Sequence, residues 1–113
     1  MPFWKSKQQL VVVLATRHAN APAALEEAAT HLEAVTLERR EALSVTGTYR
    51  ELQGAHLAVV DLFDLAGADT DRERLQSALH SPHLLHMDGQ TFVMDPVAAL
   101  EQAVAQALRI GHR

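Results

Sequence analysis

A chain of 113 residues, 48% apolar and 21% charged, is long enough to close one hydrophobic core unaided and too apolar to remain disordered. It has no cysteine, which excludes disulfide staples, thiol catalysis and cysteine-held metals, so any metal would have to be bound by His, Asp or Glu. A net charge of -4 with scattered basic residues lacks the footprint of a phosphate-backbone binder, and no nucleic-acid partner is expected.

The first seven residues, MPFWKSK, put Phe3 and Trp4 beside Lys5 and Lys7, the only lysines in the chain. Such a short stretch reads as a terminus that frays or folds back onto the domain, in preference to a membrane anchor. Leu10 to Ala15 is a β-branched, continuously apolar run, as expected of a strand buried on both faces and therefore central in a sheet. It is far shorter than the roughly 20 residues that span a bilayer and no cleavage-site pattern follows it, so a cytoplasmic protein without a membrane partner is expected.

Asn20 is placed as an N-cap, with Pro22 in the first turn of a helix whose apolar stripe is Leu25, Ala28, Leu32 and Val35. Residues 35–45 fit either a continued helix or a strand. The alternation of Val35, Leu37, Leu43 and Val45 favours strand toward the second end, running on into Val45–Tyr49. Gln53-Gly54 then reads as a hairpin connection between Thr48–Leu52 and His56–Phe63, the second segment being apolar at both parities and so a second central strand. Thr70-Asp-Arg-Glu73 has capping-box spacing, and the helix it opens should bury Leu75, Ala78 and Leu79 before Pro82. Asp88-Gly89, between His83–Met87 and Gln90–Met94, predicts a type I′ hairpin with Met87 and Met94 as core filler. Asp95 and Pro96 open a last helix along Val97, Leu100, Val104 and Leu108.

The resulting order, β-α-β-β-α-β-β-α, predicts a single α+β domain over residues 1–113. It would be a two-layer sandwich with a ferredoxin-like β-α-β-β-α-β core, an added C-terminal hairpin strand and a final helix. The runs at 10–15 and 56–63 would lie side by side in the middle of the sheet. Their second apolar face would need a cover, either the last helix or a second copy of the chain, and a homodimer is the favoured expectation. A three-layer, mostly parallel sheet is the competing layout, which the two hairpin signals argue against.

At the carboxyl ends of those two strands, Thr16, Arg17 and His18 should meet Asp61 and Asp64. A carboxylate inside Val-Val-Asp-Leu-Phe must be paired, hydrogen-bonded or neutral, and Arg17 or His18 could be its partner. The candidate catalytic set is therefore His18 as general base, oriented by Asp61, with Arg17. Thr16, Asn20 and Asp64 are candidate ligand-binding residues. The simpler alternative is a cap or salt bridge where two strands end. His80, His83 and His86 are dense in ligand atoms, but Pro82 prevents one helix from carrying all three, and no metal site is expected. No phosphate-binding glycine loop, nucleophile elbow or zinc-protease motif occurs, and no cofactor is implied. The favoured function is a small homo-oligomeric binding or regulatory module for a small molecule or protein partner. The alternative is a small enzyme acting on an anionic metabolite.

Overall fold

The computed structural model describes residues 8–33 and 35–111; the expectation for residues 1–7 falls outside them. Four strands, β1 (Gln8–Ala15), β2 (Val35–Glu41), β3 (Leu57–Val60) and β4 (Leu85–Met87), form one sheet in the order β2-β1-β3-β4. All three pairings are parallel, with Gln8 opposite Val35, Val12 opposite Leu57 and Leu57 opposite Leu85. The mixture of helix and strand matches the expectation, and β1 and β3 are the two adjacent central strands. The ferredoxin-like order does not hold, because every pairing is parallel, and neither does the two-layer sandwich, because helices cover both faces of the sheet.

The helices α1 (Ala21–Ala29), α2 (Val45–Glu51), α3 (Asp69–Ala78), α4 (Gly89–Met94) and α5 (Pro96–Gly111) fill the connections. A parallel neighbour needs a crossover; the one from β1 to β2 runs one way across the sheet and those from β2 to β3 and β3 to β4 run the other, and right-handed crossovers of opposite direction put their helices on opposite faces. Leu10, Val12, Leu14, Leu57 and Val59 accordingly pack against Leu25 of α1, Phe92 of α4 and Leu100 of α5. On the other face Ala15, Ala58 and Val60 meet Val45 of α2, Leu75 of α3 and Leu79 just after it. Both faces of the central strands are thus sealed within the chain, and the homodimer loses the bare sheet face that motivated it. No helix among the described residues is long and apolar enough to cross a membrane.

Both expected hairpins are helix boundaries. Residues 45–51 are β-prone, yet they wind into α2, because Ser44 Oγ accepts from the Gly47 N–H at 3.0 Å and Val45 and Thr48 are buried against the sheet. Gly54, with φ +76°, provides the left-handed exit after that helix, not a turn between strands. Asp88 caps α4 by accepting from the Thr91 N–H at 2.7 Å, so Gly89 opens a helix. Met94, at its end, is 78% exposed and fills no core. Strand was expected toward the second end of 35–45 and on to Tyr49, but it occupies the first end, Val35–Glu41, and the second end leads into α2. α3 starts one residue ahead of Thr70, with Ala68 in the N-cap position and no capping side chain. The last helix starts as expected, Asp95 Oδ1 accepting from the Ala98 N–H at 3.1 Å.

At the amino end of the sheet, His56 extends the β1–β3 ladder. Its backbone N–H donates to the Val11 carbonyl at 2.9 Å, while its ring Nδ1 accepts from the Val11 N–H at 2.9 Å. Only a ring unprotonated at Nδ1 can accept, and burial pushes the His56 pKa below its ordinary 6.5. Just below pH 6.5 the unfolded chain therefore binds more protons than the native one. The contribution is complete above pH 6.5 and is lost as the pH falls through that value toward the folded-state pKa. The urea midpoint is expected to drop between pH 7.5 and pH 5.5 by more in the parent than in His56→Gln, as read by circular dichroism.

Candidate functional site

β1 and β3 are followed by helices on opposite faces, so the carboxyl ends of these strands form the switch point where open parallel sheets commonly bind ligands. Here that point is closed by a clasp of side chains. Asp61, directly after β3, donates its backbone N–H to the Ala15 carbonyl at 3.1 Å, and its carboxylate projects between three chain segments. Oδ2 accepts from the Thr16 hydroxyl, and Oδ1 accepts from the Gly89 N–H at 3.0 Å. Thr16 Oγ1 in turn accepts from the His18 N–H at 3.0 Å, shaping the turn that leads into α1. Gly89 is the residue this arrangement requires, since a Cβ there would lie 2.8 Å from Asp61 Oδ2 and 3.1 Å from His18 Cβ.

Of the sequence-derived candidates, Thr16, His18 and Asp61 come together, although not in the expected roles. Asp61 is held by the Thr16 hydroxyl and the Gly89 amide in place of His18 or Arg17. The His18 Nδ1 is buried without a hydrogen-bond partner among the described residues. Arg17 is exposed and joins none of the ion pairs found among those residues. Asn20 occupies the N-cap position of α1 without a side-chain bond, contributing only its carbonyl to the Ala24 N–H at 2.9 Å. Asp64 is exposed on the short 3₁₀ turn Leu62–Asp64.

The open space lies beside the clasp, over β3 and β4 on the α3 side. It is a cleft of about 790 Å³ lined by Asp61, Phe63, Asp64, His80, His86 and Asp88, among others. Among the described residues neither Lys nor Arg lines it, and neither His18 nor Arg17 reaches it. One rim is the segment after β3, fixed by Arg72 of α3. Its guanidinium donates to the carbonyls of Leu62 at 2.8 Å, Leu65 at 2.9 Å and Gly67 at 3.0 Å. That rim presents Phe63, 87% exposed, and Asp64.

The opposite rim is β4 with the first turn of α4. The backbone N–H and the hydroxyl of Thr91 hold the Asp88 carboxyl below its ordinary pKa, so it is ionised at neutral pH. Burial lowers the His86 pKa, with neighbouring His80 adding to the effect. The Val60 carbonyl, Asp88 and Asp61 oppose it, and the ring is neutral above pH 6.5. His80 donates from Nδ1 to the Gln76 carbonyl at 2.7 Å, a cap at the end of α3. His83 lines a different groove, beside Tyr49 and Gly54, so the three spaced histidines do not converge. Among the described residues no group of three or more His, Asp or Glu is placed to hold a metal ion.

Phe63, His80, His86 and Asp88 are among the cleft residues that sequence reasoning did not assign to it. The i, i+3 spacing of Asp88 and Thr91 after an apolar run was the available signal, since it is an N-cap pattern as much as a turn. Family models, curated proteins and solved structures were compared with this chain, and none matches it.

Removing the clasp should be costly, because it strands buried donors. A double-mutant cycle of Thr16→Val and Asp61→Ala is expected to give a coupling of about 1–2 kcal/mol in urea unfolding. Gly89→Ala is expected to destabilise by about 1–3 kcal/mol through overpacking.

Proposed function

We propose that the chain is a small binding module that holds a compact, cationic or hydrogen-bond-donating ligand in the cleft beside the clasp. The observation that carries this reading is the lining. Carboxylates of Asp61, Asp64 and Asp88 surround the space, His86, neutral above pH 6.5, stands on the β4 rim and an exposed aromatic ring on the other, and among the described residues no Lys or Arg lines it. A negative field in a concave site enriches cations and repels anions, and an aromatic face adds an attraction for an organic cation. The cleft's volume lies in the range of small-molecule sites.

A regulatory role for such a module fits the same lining, and a second copy is not needed to complete the cleft. The enzyme alternative, with His18, Asp61 and Arg17 acting on an anionic metabolite, has little behind it. Only Asp61 lines the cleft, and the charge there opposes an anion.

Titration of the ¹⁵N-labelled protein with putrescine and agmatine, and in parallel with phosphate and acetate, tests this reading. Saturable amide shifts around Phe63, His86 and Asp88 are expected with the amines alone. Phe63→Ala should weaken amine binding by about 2- to 30-fold, the worth of one cation–π contact. It should leave stability within about 0.5 kcal/mol, as for other exposed substitutions. Saturable binding of the anions without the amines would reverse the assignment of ligand charge.

A further inference from the structure

The cleft that holds Asp61, Asp64 and Asp88 also holds two imidazoles, His86 on β4 and His80 at the end of α3. Histidine is the side chain whose charge ordinarily changes between about pH 5 and 8, whereas Thr91 keeps Asp88 ionised over that range. Acidification within that window therefore adds positive charge to a space that no Lys or Arg lines among the described residues. We propose that His86, with His80 beside it, is a pH gate on the cleft, which admits an organic cation at neutral pH and expels it on acidification. The gate rests on the reading of the cleft as a cation site.

The surroundings of His86 set the direction of the switch. The end of α3 brings His80, the segment after β3 brings Asp61 and Asp64, and the turn into α4 brings Asp88. β3 itself brings the Val60 carbonyl. Among the described residues α5, which also packs against β4, lends nothing to the cleft lining. Arg72, behind the opposite rim, has its guanidinium on the carbonyls of Leu62, Leu65 and Gly67. Partial burial, with His80 adding to it, outweighs the Val60 carbonyl and the two carboxyls, so the ring is neutral above pH 6.5 and takes its proton below it. A neutral imidazole keeps one nitrogen as an acceptor for an ammonium or guanidinium donor. The protonated ring has two N–H donors and a charge of the ligand's own sign, so one proton reverses both the hydrogen-bonding and the electrostatic fit.

Putrescine, whose two amines stay protonated throughout, is to be titrated into the protein at pH 7.5, 6.5 and 5.5 at constant ionic strength, with circular dichroism confirming the fold at each pH. Its Kd is expected to rise by roughly 3- to 10-fold from pH 7.5 to pH 5.5, the effect of an imidazolium facing a cation across a partly solvated cleft. His86→Gln should flatten most of that rise, and His80→Gln/His86→Gln all of it. His56→Gln, which removes a titrating ring at the far end of the sheet, should keep it. By reciprocity, the His86 ring resonances should titrate with a midpoint below 6.5 in the ligand-free protein, and saturating putrescine should move that midpoint lower. A Kd equal at the three pH values, with putrescine bound at pH 7.5, overturns the gate and leaves the cation site standing. So does a rise that persists in the double variant. Failure of putrescine to bind at pH 7.5 overturns the cation reading itself, and the gate with it.

Discussion

The carboxylate of Asp61 is the point on which the carboxyl end of the sheet depends. Strands in a parallel sheet are joined only by distant crossovers, so nothing in the chain's connectivity holds their ends together. Asp61 does so directly, gripping the loop after β1 through Thr16 and the turn after β4 through Gly89. With both oxygens engaged, the residue is poorly suited to proton transfer. The same clasp explains why the open cleft is displaced from the strand-order reversal. Gly89 occupies that place, in contact with Thr16 and His18, and the accessible space begins on the α3 side of β3.

The two central strands were legible because a strand shielded on both faces must be apolar at both parities. Leu10–Ala15 and Leu57–Val60 obey that rule without exception. The same property belongs above all to parallel sheets with helices on both faces, and it was outweighed by two turn signals that carry more than one meaning. A glycine with positive φ serves a helix exit as well as a hairpin, which is the case at Gly54. An Asp-Gly pair serves a helix entry as well as a type I′ turn, which is the case at 88 and 89. Val45–Glu51 was illegible for a different reason. Its β-branched residues favour a strand locally, while burial of Val45 and Thr48 and the Ser44 cap reward a helix.

The candidate site was half legible. That Asp61 meets Thr16 and His18 follows from the adjacency of β1 and β3, which the apolar runs reveal. The contribution of β4 is not legible in the Asp-Gly turn signal, since a hairpin over residues 83–94 would carry Asp88 and Gly89 away from Asp61. Once β4 runs parallel to β3, Asp88 arrives at the same end of the sheet as Asp61, and His86 faces the groove beside α3. The charge of the cleft is therefore a product of topology, since residues 27 apart in the chain become neighbours only through the crossover.

Arg72 satisfies three carbonyls of the segment after β3 with one planar group. The planar guanidinium pins the segment at three points, so the loop bearing Phe63 and Asp64 is held in shape from the α3 side. Such a loop is already organised before any guest arrives. Little conformational entropy is then left to be surrendered on association, and more of the contact energy at that rim survives as affinity.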